Sequence, residues 1–206
     1  YVLSLSPSSL YRYNLRDGQL VNRQRPPEDG NDIDVPLFTV FSISDKEPTF
    51  VAIGADDGRI FVHDIGNPKG ALLEMPQHHS GEVTGLAFSP INPNLVFSCG
   101  TDGTILVHNK ADCTSYRLSV ENNLPPIVSM SLHARESTLA VGCKSGDVFV
   151  YNLDANGKST TLVASHPTAE PVTALSFAPP ARFKHKQKPQ NTESVSKSSS
   201  VSTKSE

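Results

Sequence analysis

The feature that most narrows what this chain can fold into is a repeat. Phe50 to Asp64 (FVAIGADDGRIFVHD), Leu95 to Asn109 (LVFSCGTDGTILVHN) and Leu139 to Asn152 (LAVGCKSGDVFVYN) align around a shared glycine, and Gly58, Gly103 and Gly146 stand 45 and 43 residues apart. That interval is about the 40–45 residues of one four-stranded propeller blade.

Each copy reads as two strands around a tight turn. Val51, Ile53, Ile60 and Val62 alternate around Asp-Asp-Gly; Phe97, Ile105 and Val107 do so around Thr101 to Gly103; Val148 and Val150 follow Lys144 to Gly146. Glycine after Asp or Ser supplies the positive φ of a short hairpin loop without a side-chain clash. An alternating segment precedes each hairpin (Leu37 to Ile43, Val83 to Phe88, Ile127 to Leu132), and a shorter one follows (Ala71 to Met75, Tyr116 to Val120, Thr160 to Ala164). A blade has two apolar faces and needs a neighbour on each.

The chain ends extend the pattern. Tyr1 to Leu5, Leu10 to Asn14 and Gln19 to Arg23 read as the second to fourth strands of a unit, and Val172 to Phe177 as a first strand without successors. The expectation is therefore an all-β propeller of three complete blades plus one composite blade built from the two ends. That makes only four blades, the lower end of the propeller range. A small ring, blades lying outside this sequence, or blades supplied by another chain are all open, with missing blades favoured.

Residues 1–180 read as the propeller and 181–206 as a disordered basic tail. The tail holds Arg182, Lys184, Lys186, Lys188, Lys197 and Lys204 against two glutamates, and nine Ser/Thr fall between Thr192 and Ser205. With a net charge of −3 overall, the preceding part is acidic, which argues against nucleic acid on the folded surface. Cys99, Cys113 and Cys143 are too few and too scattered for a disulfide framework, so reduced thiols in a cytoplasmic setting are expected, with the nucleus a weaker alternative. No apolar run is long enough to span a bilayer.

The segments HHSGEVTGLAFSP (His78 to Pro90), SCGTDGTILVHN (Ser98 to Asn109) and LAVGCKSGDVFVYNLD (Leu139 to Asp154) resemble the WD40-repeat family. The resemblance implies a hydrogen-bonded network of His, Ser/Thr, Asp and Trp within a blade. The second unit carries His79, Ser98 and Asp102 but has His108 at the Trp place. The first keeps Asp57 and Asp64 with Ile53 at the Ser place and His63 at the Trp place. The third has Val141, Ser145 and Tyr151. The expectation is that no unit completes the network. Within the family, PPIVSMSLHARESTLAVGCKSGDVFVYNLD (Pro125 to Asp154) followed by PVTALSFAP (Pro171 to Pro179) is similar to centrosomal and spindle members, which implies γ-tubulin ring complex components as partners and recruitment to centrosomes or spindle microtubules. An unrelated WD scaffold in a ubiquitin ligase, trafficking coat or chromatin complex is the alternative.

Chemistry is weakly signalled. His63 and His108 occupy equivalent blade positions, a sheet spacing of about 10 Å apart, too far to share a zinc ion. Ser98, Cys99 and Cys143 lack a base fixed by the pattern, and GADDG at Gly54 to Gly58 places two carboxylates where a phosphate loop would need none. The reading is a scaffold with no enzymatic activity, cofactor, metal or small-molecule substrate. Asp56, Arg59 and Lys144 on the turns, and Lys184, Lys186 and Lys188 in the tail, are candidate contacts for protein partners.

Overall fold

The structure is a computed structural model describing residues 1–27, 35–67, 70–120, 123–134, 136–154, 160–168 and 170–177. The expected basic tail, with Lys184, Lys186 and Lys188, lies outside the described residues.

Among the described residues, fifteen strands form four antiparallel meanders. The first sheet runs β1 (Val2–Ser6), β2 (Ser9–Tyr13), β3 (Leu20–Gln24), and the second β4 (Phe38–Ile43), β5 (Phe50–Ala55), β6 (Ile60–Asp64), β7 (Leu73–Glu74). The third is β8 (Val83–Phe88), β9 (Leu95–Gly100), β10 (Ile105–Asn109), β11 (Thr114–Arg117), and the fourth β12 (Ile127–Leu132), β13 (Thr138–Cys143), β14 (Asp147–Leu153), β15 (Thr160–Pro167). The turn glycines behave as their position requires: φ is +89° at Gly58, +71° at Gly103 and +96° at Gly146. At Gly58 and Gly103 a Cβ would also collide with a backbone carbonyl, that of His79 and of Leu124 respectively, so the chain entering the next sheet crosses directly over each turn.

Strand alternation sends the two faces of the second and of the third sheet into different cores. Leu95, Phe97 and Cys99 of β9 meet Leu139, Val141 and Tyr151 of the fourth sheet, whereas Val96, between them, packs back against Ala52, Ile60 and Val62 of the second. A third core joins Leu10 to Phe38, Val51, Ile53 and Phe61, with Leu3 and Leu5 at its margin. Burying one such Leu, Val or Phe contributes roughly 1.5–3 kcal/mol. The sheets therefore stand in a row, each holding the next.

A recurrent bulge adds a polar tie. Pairing slips between Phe38 and Val40, between Val83 and Gly85, and between Ile127 and Ser129, the same place in each innermost strand. A bulge re-aims the extra side chain. Thr39 Oγ1 donates to the Val83 carbonyl at 2.6 Å, and Thr84 Oγ1 to the Ile127 carbonyl at 2.7 Å. Val128 has no hydroxyl, and there the Ser129 Oγ accepts from Leu175 N at 2.9 Å instead.

The expected composite blade does not form, and the described residues make no closed ring. Residues 170–177 pair with no strand. They continue the row beyond the fourth sheet: Thr168 N donates to the Gly146 carbonyl (3.0 Å), Val172 N to that of Cys143 (3.3 Å), and Val172 lies on Gly142. The crossing over Gly146 delivers this segment to the end of the row opposite β1.

Candidate functional site

The densest polar cluster sits inside the third sheet. β9 and β10 place Ser98 opposite Leu106 and leave it one step from His108, while the loop entering β8 carries His79 over the turn that holds Asp102. His79 Nδ1 is 3.1 Å from Asp102 Oδ1 and 2.9 Å from Thr104 Oγ1; His79 Nε2 is 2.8 Å from Ser98 Oγ. The chain continues from Ser98 Oγ to His108 Nε2 (2.8 Å), and from His108 Nδ1 to Ser115 Oγ on β11 (2.7 Å). Asp102 also accepts the backbone N–H of Ser80 and of Thr104.

No unit carries the full His, Ser/Thr, Asp and Trp set, but in the second unit the imidazole at position 108 stands at the Trp place and offers a ring nitrogen on each side. Thr104 and Ser115 are members that sequence reasoning missed. Thr104, two residues after Asp102, was visible as an Asx-turn partner; Ser115 becomes adjacent only through the His108–Ser115 pairing of β10 with β11.

Charge within the cluster follows from burial. Burial pushes His108 down to about 3, with the nearby His79 and His78 acting in the same direction. His79 is likewise lowered by burial, against the opposing pull of Asp102. Burial alone would raise the Asp102 carboxyl, but the N–H groups of Thr104 and Ser80, His79 and the Thr104 hydroxyl together hold it below its ordinary value. Both rings are neutral near neutral pH.

The order Ser98, His79, Asp102 matches a nucleophile, base and orienting carboxylate. Ser98, however, is fully buried, and its hydroxyl is shared with a second imidazole rather than aimed at a cleft. A nucleophile needs an accessible reacting position beside it. The cysteines are no better placed: burial pushes the Cys99 thiol up to about 12 and that of Cys143 to about 11, and Cys113 is exposed. Among the described residues no three His, Cys, Asp or Glu converge as metal ligands.

The other sites named from sequence are dispersed. Asp57 accepts from Arg59 N at 3.0 Å and from its Nε at 2.7 Å. Asp56 accepts from Leu37 N, and Asp64 from Gly66 N. Tyr151 is buried between the third and fourth sheets. His63 is also buried, but its environment holds no counterpart of Ser98, since Ile53 stands there. Lys144 is exposed beside Gly146.

A concavity lies elsewhere, between β1 and β4. It measures about 630 Å³ and is lined by Leu5, Ser6 and Pro7 on one side and Phe38 to Phe41 on the other, with Glu82 at its rim. No helix among the described residues is long and apolar enough to cross a membrane.

A family model described as "WD domain, G-beta repeat" matches residues 70–109, so a WD40 repeat is present, and it contains His79, Ser98, Asp102 and His108. The chain is similar to Periodic tryptophan protein 2 homolog of Dictyostelium discoideum, at 27% identity over 63% of this chain and 14% of that protein. It is also similar to Protein transport protein SEC31 of Phaeosphaeria nodorum (27% identity, 66% of this chain, 11% of that protein) and to Protein NEDD1 of Mus musculus (21%, 60% and 18%). The chain thus spans less than a fifth of each of these relatives. The repeat match and the four antiparallel sheets agree on WD-repeat architecture.

Proposed function

We propose that this chain is a WD-repeat adaptor that holds protein partners within a larger assembly, of the kind represented by ubiquitin ligases, trafficking coats and chromatin complexes. One observation carries the reading: the side chains arranged as if for catalysis are sealed inside the third sheet, while the turns and the outer groove remain open to macromolecules. The breadth of the relatives, one of them a protein transport protein, supports a generic platform whose partner is set by loops. Asp56, Arg59 and Lys144 are the contacts we assign on the turns. Asp56 accepts from Leu37 N and Arg59 donates to Asp57, so Lys144 is the residue of the three that we assign first to a partner. We assign the basic residues Lys184, Lys186 and Lys188 to a tail, residues 181–206, that follows the blades of 1–180.

Capture of partners by the immobilised chain, with cross-linking mass spectrometry, tests the proposal. Stoichiometric protein partners cross-linked at the turns, and weakened by Lys144→Glu, are expected; turnover of a small substrate with no protein partner would refute it. A narrower reading has the chain recruit γ-tubulin ring complexes in the cytoplasm, at centrosomes or spindle microtubules. The resemblance of Pro125 to Asp154 supports it. Co-purification of γ-tubulin would select this reading, and a partner complex lacking γ-tubulin would reject it.

A further inference from the structure

His63 and His108 hold equivalent places on β6 and β10, yet they are held differently. His108 Nε2 meets the Ser98 hydroxyl, and its Nδ1 meets that of Ser115. Around His63 the corresponding residues are Ile53 and Leu72, whose side chains carry no polar atom. The residue is nevertheless only 1% exposed, and neither ring nitrogen makes a hydrogen bond among the described residues; the Ala71 carbonyl is near but outside the geometry of one.

What meets His63 across the seam is a cation. Phe61 and Ile65 pack on Leu10 of the first sheet, and strand alternation puts His63, between them, on the same face. Arg12, two residues along β2 from Leu10, approaches from the other side. Its Nη1 donates to the Ile65 carbonyl, its Nε is buried without a hydrogen bond, and its charge acts on the His63 ring. The other neighbours do little to hold a proton. The partner of His63 on β5 is the apolar Val51, and Asp64 lies next along β6 on the opposite face, where its carboxylate accepts from Gly66 N. Burial holds the imidazole below its ordinary 6.5 against the opposing pull of the Ala71 carbonyl and Asp64, and Arg12 adds to the lowering.

We infer that the seam between the first and second sheets is an acid-sensitive joint, in which His63 takes up the proton and the Arg12 guanidinium then repels it. In the closed seam a proton on His63 has neither a well-placed acceptor nor water to solvate it. Opening the contact between β2 and β6 gives the ring water and its ordinary affinity for protons, so acid selects the open arrangement. The closed seam keeps its full advantage above pH 6.5 and loses it as the pH falls below that value. Each unit of that fall multiplies the open population by up to about ten, until the ring's own pKa in the closed seam is reached. His79 and His108 belong to the network inside the third sheet, so their protonation loosens that sheet and not this seam.

Native-state hydrogen exchange on the whole chain, between about pH 7.5 and about pH 5.5 and corrected for the intrinsic pH dependence of exchange, separates the seams. Protection of the amides of β2 and β6 is expected to fall several-fold more, up to about tenfold per pH unit, than that of β13 and β14. In His63→Phe, whose ring takes no proton, the excess loss should disappear, and in Arg12→Met it should shrink. An equal loss in all four sheets, or an excess that survives in His63→Phe, overturns the inference. The ring resonances of His63 in the unaltered chain give a check that needs no variant: they should show no protonation near pH 6.5 while the seam is closed. A His63 that titrates there with β2 and β6 still protected overturns the inference as well.

Discussion

Ser98 Oγ stands 2.8 Å from Nε2 of His108, in the place where related repeats carry an indole N–H. A serine hydroxyl has one proton, and Ser98 Oγ is also 2.8 Å from His79 Nε2. Asp102 accepts at one end of the chain and requires His79 to be protonated on Nδ1. His79 Nε2 then accepts from Ser98, Ser98 accepts from His108 Nε2–H, and His108 Nδ1 accepts from Ser115. The direction of every bond follows from the carboxylate.

The two rings are therefore expected to hold opposite tautomers, Nδ1–H at His79 and Nε2–H at His108. Long-range proton–nitrogen NMR correlations distinguish them. Finding the same tautomer at both positions would break the chain at Ser98.

Removing the Ser98 hydroxyl leaves two buried ring nitrogens without their shared partner, and each costs about 1–3 kcal/mol. Ser98→Ala should lower the denaturant midpoint by the equivalent of roughly 2–4 kcal/mol with an unchanged slope. Ile53→Ser in the second sheet offers His63 a hydroxyl at the equivalent place, but replaces a fully buried Ile side chain and should also destabilise.

Stability should fall in mild acid. The folded pKa of His108 is about 3, below the ordinary 6.5, so between those values the unfolded chain binds the extra proton. His79 and His63 shift in the same direction. The His108 contribution is complete above pH 6.5 and declines as pH drops towards 3, with a slope of up to about 1.4 kcal/mol per pH unit, and His79 and His63 add losses of the same sign. Asp102, held below its ordinary 3.8, adds a further loss only below that pH. Urea titrations across this range measure the slope, and His108→Phe should reduce it.

The turn glycines should differ from one another in a predictable way. Gly18 and Gly103 have nearly the same φ, +68° and +71°, but a Cβ at Gly18 meets nothing and one at Gly103 meets the Leu124 carbonyl. Gly18→Ala should cost about 1–2 kcal/mol, the left-handed backbone alone, and Gly103→Ala clearly more. Equal costs by equilibrium unfolding would show that the crossing over the turn yields freely.

The period, the hairpins and the positive-φ glycines were legible in the sequence because each depends on neighbouring residues. Grouping His79, Ser98 and Asp102 was legible from the family resemblance. The role of His108 was not, since an imidazole in an indole position reads as a loss until its second nitrogen is seen to reach Ser115. The ties made by Thr39 and Thr84 were hidden because a bulge interrupts the alternation that sequence patterns reveal. The composite blade failed for a different reason: the alternation of Val172 to Phe177 marks a strand-like segment but not its neighbour, and the segment packs on Gly142 of the fourth sheet.

Asp102, His79 and Ser98 form an internal clamp of the third sheet, with Ser98 sealed from solvent. The most direct test is labelling of the folded chain with a fluorophosphonate, which reacts with activated serines. We predict no labelling of Ser98 under native conditions; stoichiometric labelling that Ser98→Ala abolishes would contradict the account.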